Sequence, residues 1–342
     1  MKQTFEQKSD PPQTLASHTP VVQSTPPWYS FWKFSRPHTI IGTTLSVIGL
    51  YLIALAKSPA GFSIDQLTVV LGAWIACIGG NIYIVGLNQL EDIEIDQINK
   101  PHLPLAAGEF SQKQAQIIVA IAGVIAALFS VFQGPFLFAT VGISLAIGTA
   151  YSLPPIRLKR FPFWAAICIF TVRGAIVNLG LFLHFQSILE LASKNHAFFS
   201  LPSSFFLLPS SFFLPSEVLA LTLFVLVFTF AIAIFKDIPD MEGDRQYNIT
   251  TFTIQLGKQS VFNLSRWVLT FCYLGMTIAG ALWLKDVNSI FLGITHIAAL
   301  GLMWFWSLKV DLQDKAAIAQ FYQFIWKLFF LEYLVFPAAC LL

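Results

Sequence analysis

NQLEDIEIDQINKP, residues 88–101, begins where a long apolar run ends and sets Glu91, Asp92, Glu94 and Asp96 within six residues. A second acidic segment, KDIPDMEGD at 236–244, also follows a long apolar run. Acidic charge gathered at the ends of apolar segments suggests helices that cross a bilayer and carry their chemistry at its boundary.

The whole chain agrees. Of 342 residues, 56% are hydrophobic and 11% charged, against about 25% charged in soluble domains, and the mean hydropathy is +0.69. This is the composition of an integral membrane protein. The net charge of +2 and the lack of any basic run give no footprint for nucleic acid. Cys77, Cys168, Cys272 and Cys340 stand singly in apolar segments, without C-x-x-C spacing, and read as small buried hydrophobes.

A crossing helix needs about 20 apolar residues. Runs near 38–57, 67–90, 115–132, 134–153, 162–187, 217–236, 261–283, 288–308 and 320–342 meet this, so an all-α protein with about nine spans is expected. Gln133–Gly134–Pro135 is the only break between the third and fourth, which predicts a tight helical hairpin. Residues 1–30 are expected to be a disordered tail: five prolines among Gln, Ser and Thr, no apolar core of a secretory signal, and no early arginine of a transit peptide.

With the N-terminus placed in the cytoplasm, only Lys57, Lys194 and Lys285 fall on the far side. Arg173 and Lys327 lie inside spans, so fifteen of the 20 Lys and Arg fall on the cytoplasmic side, which also receives both acidic segments. The extracytoplasmic loop 188–216 carries LPSSFFL twice, at 201–207 and 208–214, a duplication that reads as replication slippage in a tolerant loop rather than a lid and is assigned no chemistry.

On one helix, residues four apart share a face, so Asn88, Asp92 and Asp96 form a stripe. Asp237, Asp240 and Asp244 form another, with Pro239 and Gly243 expected to loosen that helix end. Glu91, Glu94 and Glu242 point elsewhere. Solvated loop charge is the alternative reading of either segment alone. Two segments of matching spacing on one membrane side favour a shared metal site, and Mg²⁺ prefers one or two carboxylates plus phosphate oxygens.

Basic groups lie on the same side. YSLPPIRLKR, 151–160, offers Tyr151 and Lys159 as a diphosphate clamp, with Arg160 a membrane anchor. Lys100 and Lys236 abut the acidic segments and could neutralise a carboxylate or bind phosphate. Arg173, in FTVRGAIVNLG, costs about 2.5–3.5 kcal/mol to insert; it pairs with an aspartate of the cavity or with a substrate anion, with Asn178 beside it. Arg36 and His38 stand at the start of the first span, where a snorkelling arginine is ordinary. Carboxylates, divalent metal and cations at the mouth of an apolar cavity suit a diphosphate with a long apolar tail.

At these residues the chain resembles the UbiA-type intramembrane prenyltransferases, whose two aspartate motifs NQLEDIEIDQINKP and KDIPDMEGD are similar to in order and side. The resemblance covers about residues 31–342 and implies helices around a central cavity. It implies that Asn88, Asp92, Asp96, Asp237, Asp240 and Asp244 hold two Mg²⁺ ions bridging a prenyl diphosphate. Tyr151, Lys159, Arg173, Lys236, Arg36 and Asn178 would assist substrate binding. SRPHTIIGTT, AYSLPPIRLKRF, TVRGAIVNLGLF and FYQFIWKLFFLEYL resemble the cyanobacterial members that move a phytyl group from phytyl diphosphate to homogentisate. That reaction loses CO₂ and gives 2-methyl-6-phytyl-1,4-benzoquinol, on the route to tocopherol. A plasma or thylakoid membrane is implied, and no oligomeric state. Rival readings are another aromatic acceptor or a longer prenyl donor at the same site, or a divalent-cation transporter, which would line both faces with ionisable groups.

Overall fold

A computed structural model describes residues 26–59, 61–193, 214–247 and 250–342. Every regular element among them is helical. The tandem LPSSFFL segment lies outside the described residues save Leu214, as does most of the expected tail, although residues 27–30 already belong to the first helix.

Proline opens four of the helices, where its missing N–H falls among donors that have no intrahelical partner and its fixed φ suits the first turn. These are α1 (Pro27–Phe34), α2 (Pro37–Ala56), α6 (Pro135–Ser152) and α7 (Pro162–Phe170). Between α5 (Gln112–Gln133) and α6 the chain reverses at Gly134, whose φ of 114° a side chain would resist, and the expected hairpin forms. A reciprocal capping box of Ser111 and Gln114 starts α5.

α3 (Asp65–Glu91) and α4 (Ile93–Asn99) carry the first acidic segment. A π-helical turn at Thr171–Ile176 joins α7 to α8 (Val177–Ser193), so the fifth span is one bulged 32-residue helix. α9 (Ser216–Phe235) runs into α10 (Asp237–Gln246), the second acidic segment; α11 (Phe252–Leu256), α12 (Lys258–Leu282), α13 (Ser289–Ser307) and α14 (Lys315–Leu341) follow.

Among the described residues eight helices are long and apolar enough to cross a membrane. The expected span at 261–283 forms as α12, but it falls short of that apolarity, with Asn263, Ser265 and Arg266 in its first half. It packs between α9 and α13 all the same. Successive packing of α2 on α3, α3 on α5, α5 on α6, α6 on α8, the π-turn on α9, α9 on α12, α12 on α13, α13 on α14 and α14 on α2 closes a ring.

Phe182, Phe185, Phe228, Phe329, Phe336, Leu50 and Ile53 fill the ring and are almost wholly buried. Away from the acidic segments Lys57, after α2, ties the bundle by bonding Glu217 of α9 at 2.9 Å and Asp286 before α13 at 2.9 Å. Towards the acidic segments the interior opens instead into a cavity of about 650 Å³.

Candidate functional site

The stripe expected for Asn88, Asp92 and Asp96 does not lie on a single helix. Asp92 leaves helical geometry (φ −122°, ψ 21°) and separates α3 from α4. The three side chains still face one cavity, because the bend restarts the helix at once and the Asp96 amide bonds Asp92 O at 2.7 Å. The second expectation, a loosened helix end at Pro239 and Gly243, holds only at Pro239: α9 stops at Phe235, four residues before it, and α10 restarts at Asp237. Pro239 sits in the first turn of α10, where no amide is needed, and the helix runs unbroken past Gly243.

Asp92 is held from both sides. Arg157 Nη2 donates to its Oδ1 at 3.2 Å, Lys159 Nζ lies 2.7 Å from Oδ2, and Asn88 Nδ2 donates to Oδ2 at 2.9 Å. Arg36 Nη2 completes the chain by donating to Asn88 Oδ1 at 3.3 Å. Arg36 and Arg157 are the two non-glycine residues with positive φ among those described, 52° and 39°. Both unfavourable backbones belong to cations that grip the first acidic segment, a form of strain that gathers at functional sites.

Across the cavity Lys100 pairs with Asp240, and Lys236 Nζ lies 2.8 Å from Asp237 Oδ1. Both lysines pair with carboxylates and also line the cavity. Asn99 joins the two segments directly: its Oδ1 accepts the Gly243 amide at 2.9 Å and its Nδ2 donates to Asp244 Oδ1 at 3.3 Å. Burial raises the carboxyl of Asp96, and burial with the neighbouring Asp240 charge pushes Asp244 up to about 7. Burial also lowers Lys159.

Arg36, Asn88, Asp92, Asp96, Tyr151, Lys159, Arg173, Lys236, Asp237, Asp240 and Asp244 all line this cavity. Asn178 does not. It is wholly buried behind the wall, with Oδ1 accepting from Tyr333 Oη at 2.7 Å and Nδ2 donating to Gly174 O at 2.6 Å, so it holds the π-turn. Of the two partners expected for Arg173, the aspartate is not found: its guanidinium meets no described carboxylate. Its guanidinium lies 4.9 Å from the Trp326 ring centroid and 5.6 Å from that of Phe329. Glu94 and Glu242 are exposed, as expected.

Sequence reading missed Asn99, Arg157 and Trp326. Asn99 was findable, since it continues the spacing three residues beyond Asp96. Arg157 was one of three basic residues in a row of candidates, and Trp326 one aromatic among dozens.

Among the described residues no three His, Cys, Asp or Glu side chains converge closely enough to hold a metal ion by themselves. The donors nonetheless suit a hard dication that takes most of its oxygens from phosphate and water. Asp96 Oδ2 is buried in the cavity without a hydrogen-bond partner, and Asp240 and Asp244 line the same space.

Fold and site together define an integral membrane protein with an acid- and cation-lined cavity at one end of its helical ring. A match to the UbiA prenyltransferase family spans residues 44–328. The chain is 52% identical over 316 residues to homogentisate phytyltransferase of Synechocystis sp., covering 91% of this chain and 95% of the relative. It is 39% identical to homogentisate phytyltransferase 1 of Arabidopsis thaliana, covering 90% and 74%. A solved UbiA homolog from Archaeoglobus fulgidus, bound to GPP and Mg²⁺, superposes with a TM-score of 0.56 at 14% identity, over 90% of this chain and 99% of that one. That likeness establishes the fold. The chain belongs to the UbiA prenyltransferase family.

Proposed function

We propose that this protein transfers a phytyl group from phytyl diphosphate to homogentisate, using the two acidic segments to hold Mg²⁺, two ions in all, against the diphosphate. The observation that carries the reading is the meeting of both segments and their lysines around one cavity. Identity of 52% to a homogentisate phytyltransferase supports the choice of substrates.

Bound Mg²⁺ would take up the charge that develops on the departing diphosphate. Asp92, Asp96, Asp237, Asp240 and Asp244, with Asn88, are the residues that would hold it. Lys159, Lys236, Arg36 and Tyr151 are placed to receive the remaining phosphate charge. The phytyl carbon–oxygen bond breaks with its electrons leaving on diphosphate, and a ring carbon of the acceptor forms the new carbon–carbon bond. The ring gives up one proton, and the methylene that loses CO₂ gains one, so protons balance.

The Lys and Arg bias supports a cavity mouth on the cytoplasmic side. Cation transport finds less support, because the ring beyond the cavity is packed with phenylalanine. The test incubates membranes containing the protein with labelled phytyl diphosphate, homogentisate and Mg²⁺. A prenylated quinol that disappears with EDTA is expected. Absence of product, or product indifferent to chelator, overturns the reading.

A further inference from the structure

One wall of the cavity contains none of the aspartates. Arg173 projects there from the π-helical turn, a bulge form that recurs at functional sites. Asn178 fixes the turn by donating to Gly174 O at 2.6 Å and to Arg173 O at 3.4 Å, and Tyr333 fixes Asn178. The guanidinium rests over Trp326, and the His38 ring packs on the same indole, centroids 4.8 Å apart. Three elements thus converge on one point: α2, the π-turn and α14.

No described carboxylate lies within ion-pair distance of Arg173. Three cavity aspartates are engaged by other cations, Asp92 by Arg157 and Lys159, Asp237 by Lys236 and Asp240 by Lys100, and neither Asp96 nor Asp244 comes within ion-pair distance of Arg173. A guanidinium stacked on an aromatic face keeps its N–H edge free for a planar, bidentate anion. The diphosphate has other cations within the cavity, Lys159, Lys236 and Arg36 among them. Among the described Lys and Arg that line the cavity, Arg173 alone is not committed to a protein carboxylate or amide, and it is the one left for an aromatic acid.

We infer that Arg173, backed by Trp326 and flanked by His38, is the seat of the acceptor's carboxylate, so the site selects an aromatic acid anion by its acid group. The inference rests on the proposed reaction and adds the acceptor subsite to it.

The test compares wild type with Arg173→Gln and Arg173→Lys. For Arg173→Gln the KM for homogentisate is expected to rise about tenfold or more while the KM for phytyl diphosphate moves less than about twofold. The neutral isostere 2,5-dihydroxyphenylacetamide, used as competing inhibitor, should bind wild type much more weakly than the acid and should lose that handicap in Arg173→Gln. Arg173→Lys keeps a buried cation, and with it the fold, but lacks the fork; an intermediate acceptor KM is expected. A donor KM that moves as much as the acceptor KM, or an acid-over-amide preference that survives Arg173→Gln, overturns the inference. Equilibrium binding of labelled homogentisate, measured without turnover, separates the two claims. Binding that depends on Arg173 in a protein that forms no quinol supports the subsite while sinking the reaction; binding equal in Arg173→Gln sinks the subsite.

Discussion

Asn99 and Gly243 lie 144 residues apart in sequence and meet at a hydrogen bond of 2.9 Å, the Gly243 amide donating to Asn99 Oδ1. A Cβ on Gly243 would stand 2.4 Å from that oxygen, so a side chain there would have to displace the Asn99 amide. This pairing docks α4 on α10 and so sets the spacing of the two acidic segments. Asn99 also donates to Asp244, so the same amide side chain orients one of the carboxylates it brings near.

Gly243→Ala should therefore displace the Asn99 amide, break its bonds to Gly243 and Asp244, and loosen the docking of the two segments. An overpacked contact of this kind costs about 1–3 kcal/mol, and prenyl transfer should fall about tenfold or more because metal-bridged geometry tolerates little displacement. Thermal unfolding in detergent and a product assay read the two effects. An alanine variant with wild-type activity would show that the spacing is set elsewhere.

Asp240→Asn should lower turnover about a hundredfold or more, the scale on which positioned charge acts in a reaction that expels an anion. Its partner Lys100 is left without the countercharge, so some loss of stability should accompany it. Raising Mg²⁺ should restore part of the activity if the carboxylate acts through the metal. A variant that keeps full turnover at limiting Mg²⁺ would remove Asp240 from the site.

Proton and metal compete for Asp244. Its carboxyl is raised to about 7 by burial and by Asp240, so in the metal-free protein it holds a proton below that pH and releases it above. Metal ligands must be deprotonated, so the apparent Mg²⁺ affinity should rise about tenfold from about pH 6 to about pH 8 and then level off. Metal titrations followed by thermal stability at each pH measure this. A flat profile across the range would exclude Asp244 as a ligand.

Lys57→Met offers a control at the other end of the bundle. It strands the buried Glu217 carboxylate, and breaking one partner from a buried pair costs about 3–5 kcal/mol. The melting temperature should drop while KM for both substrates stays the same at a temperature where the variant is folded. A changed KM would mean that the two ends of the ring are coupled.

By itself the sequence determined the membrane class, the helices and the residue types of the site. Each of these is written in local terms: runs of about 20 apolar residues, prolines and a glycine at helix ends, acids and bases where the runs stop. Even the α5–α6 hairpin is legible in Gln133, Gly134 and Pro135. The break at Asp92 was not, because a stripe of i, i+4 spacing looks the same whether one helix or two supply it.

Pairing was left to the tertiary structure. Lys100 could have met phosphate or carboxylate, and only the docking of α4 on α10 gives it Asp240. Arg173 could have paired with an aspartate of the cavity or been left for a substrate anion; it meets no described aspartate and lies on Trp326, 153 residues further on. Asn178, one turn from Arg173, looked like a companion in the cavity and proved to be a brace behind it. A cation's partner depends on which helices the ring brings side by side, and that depends on summed packing of apolar faces, in which no single residue carries the answer.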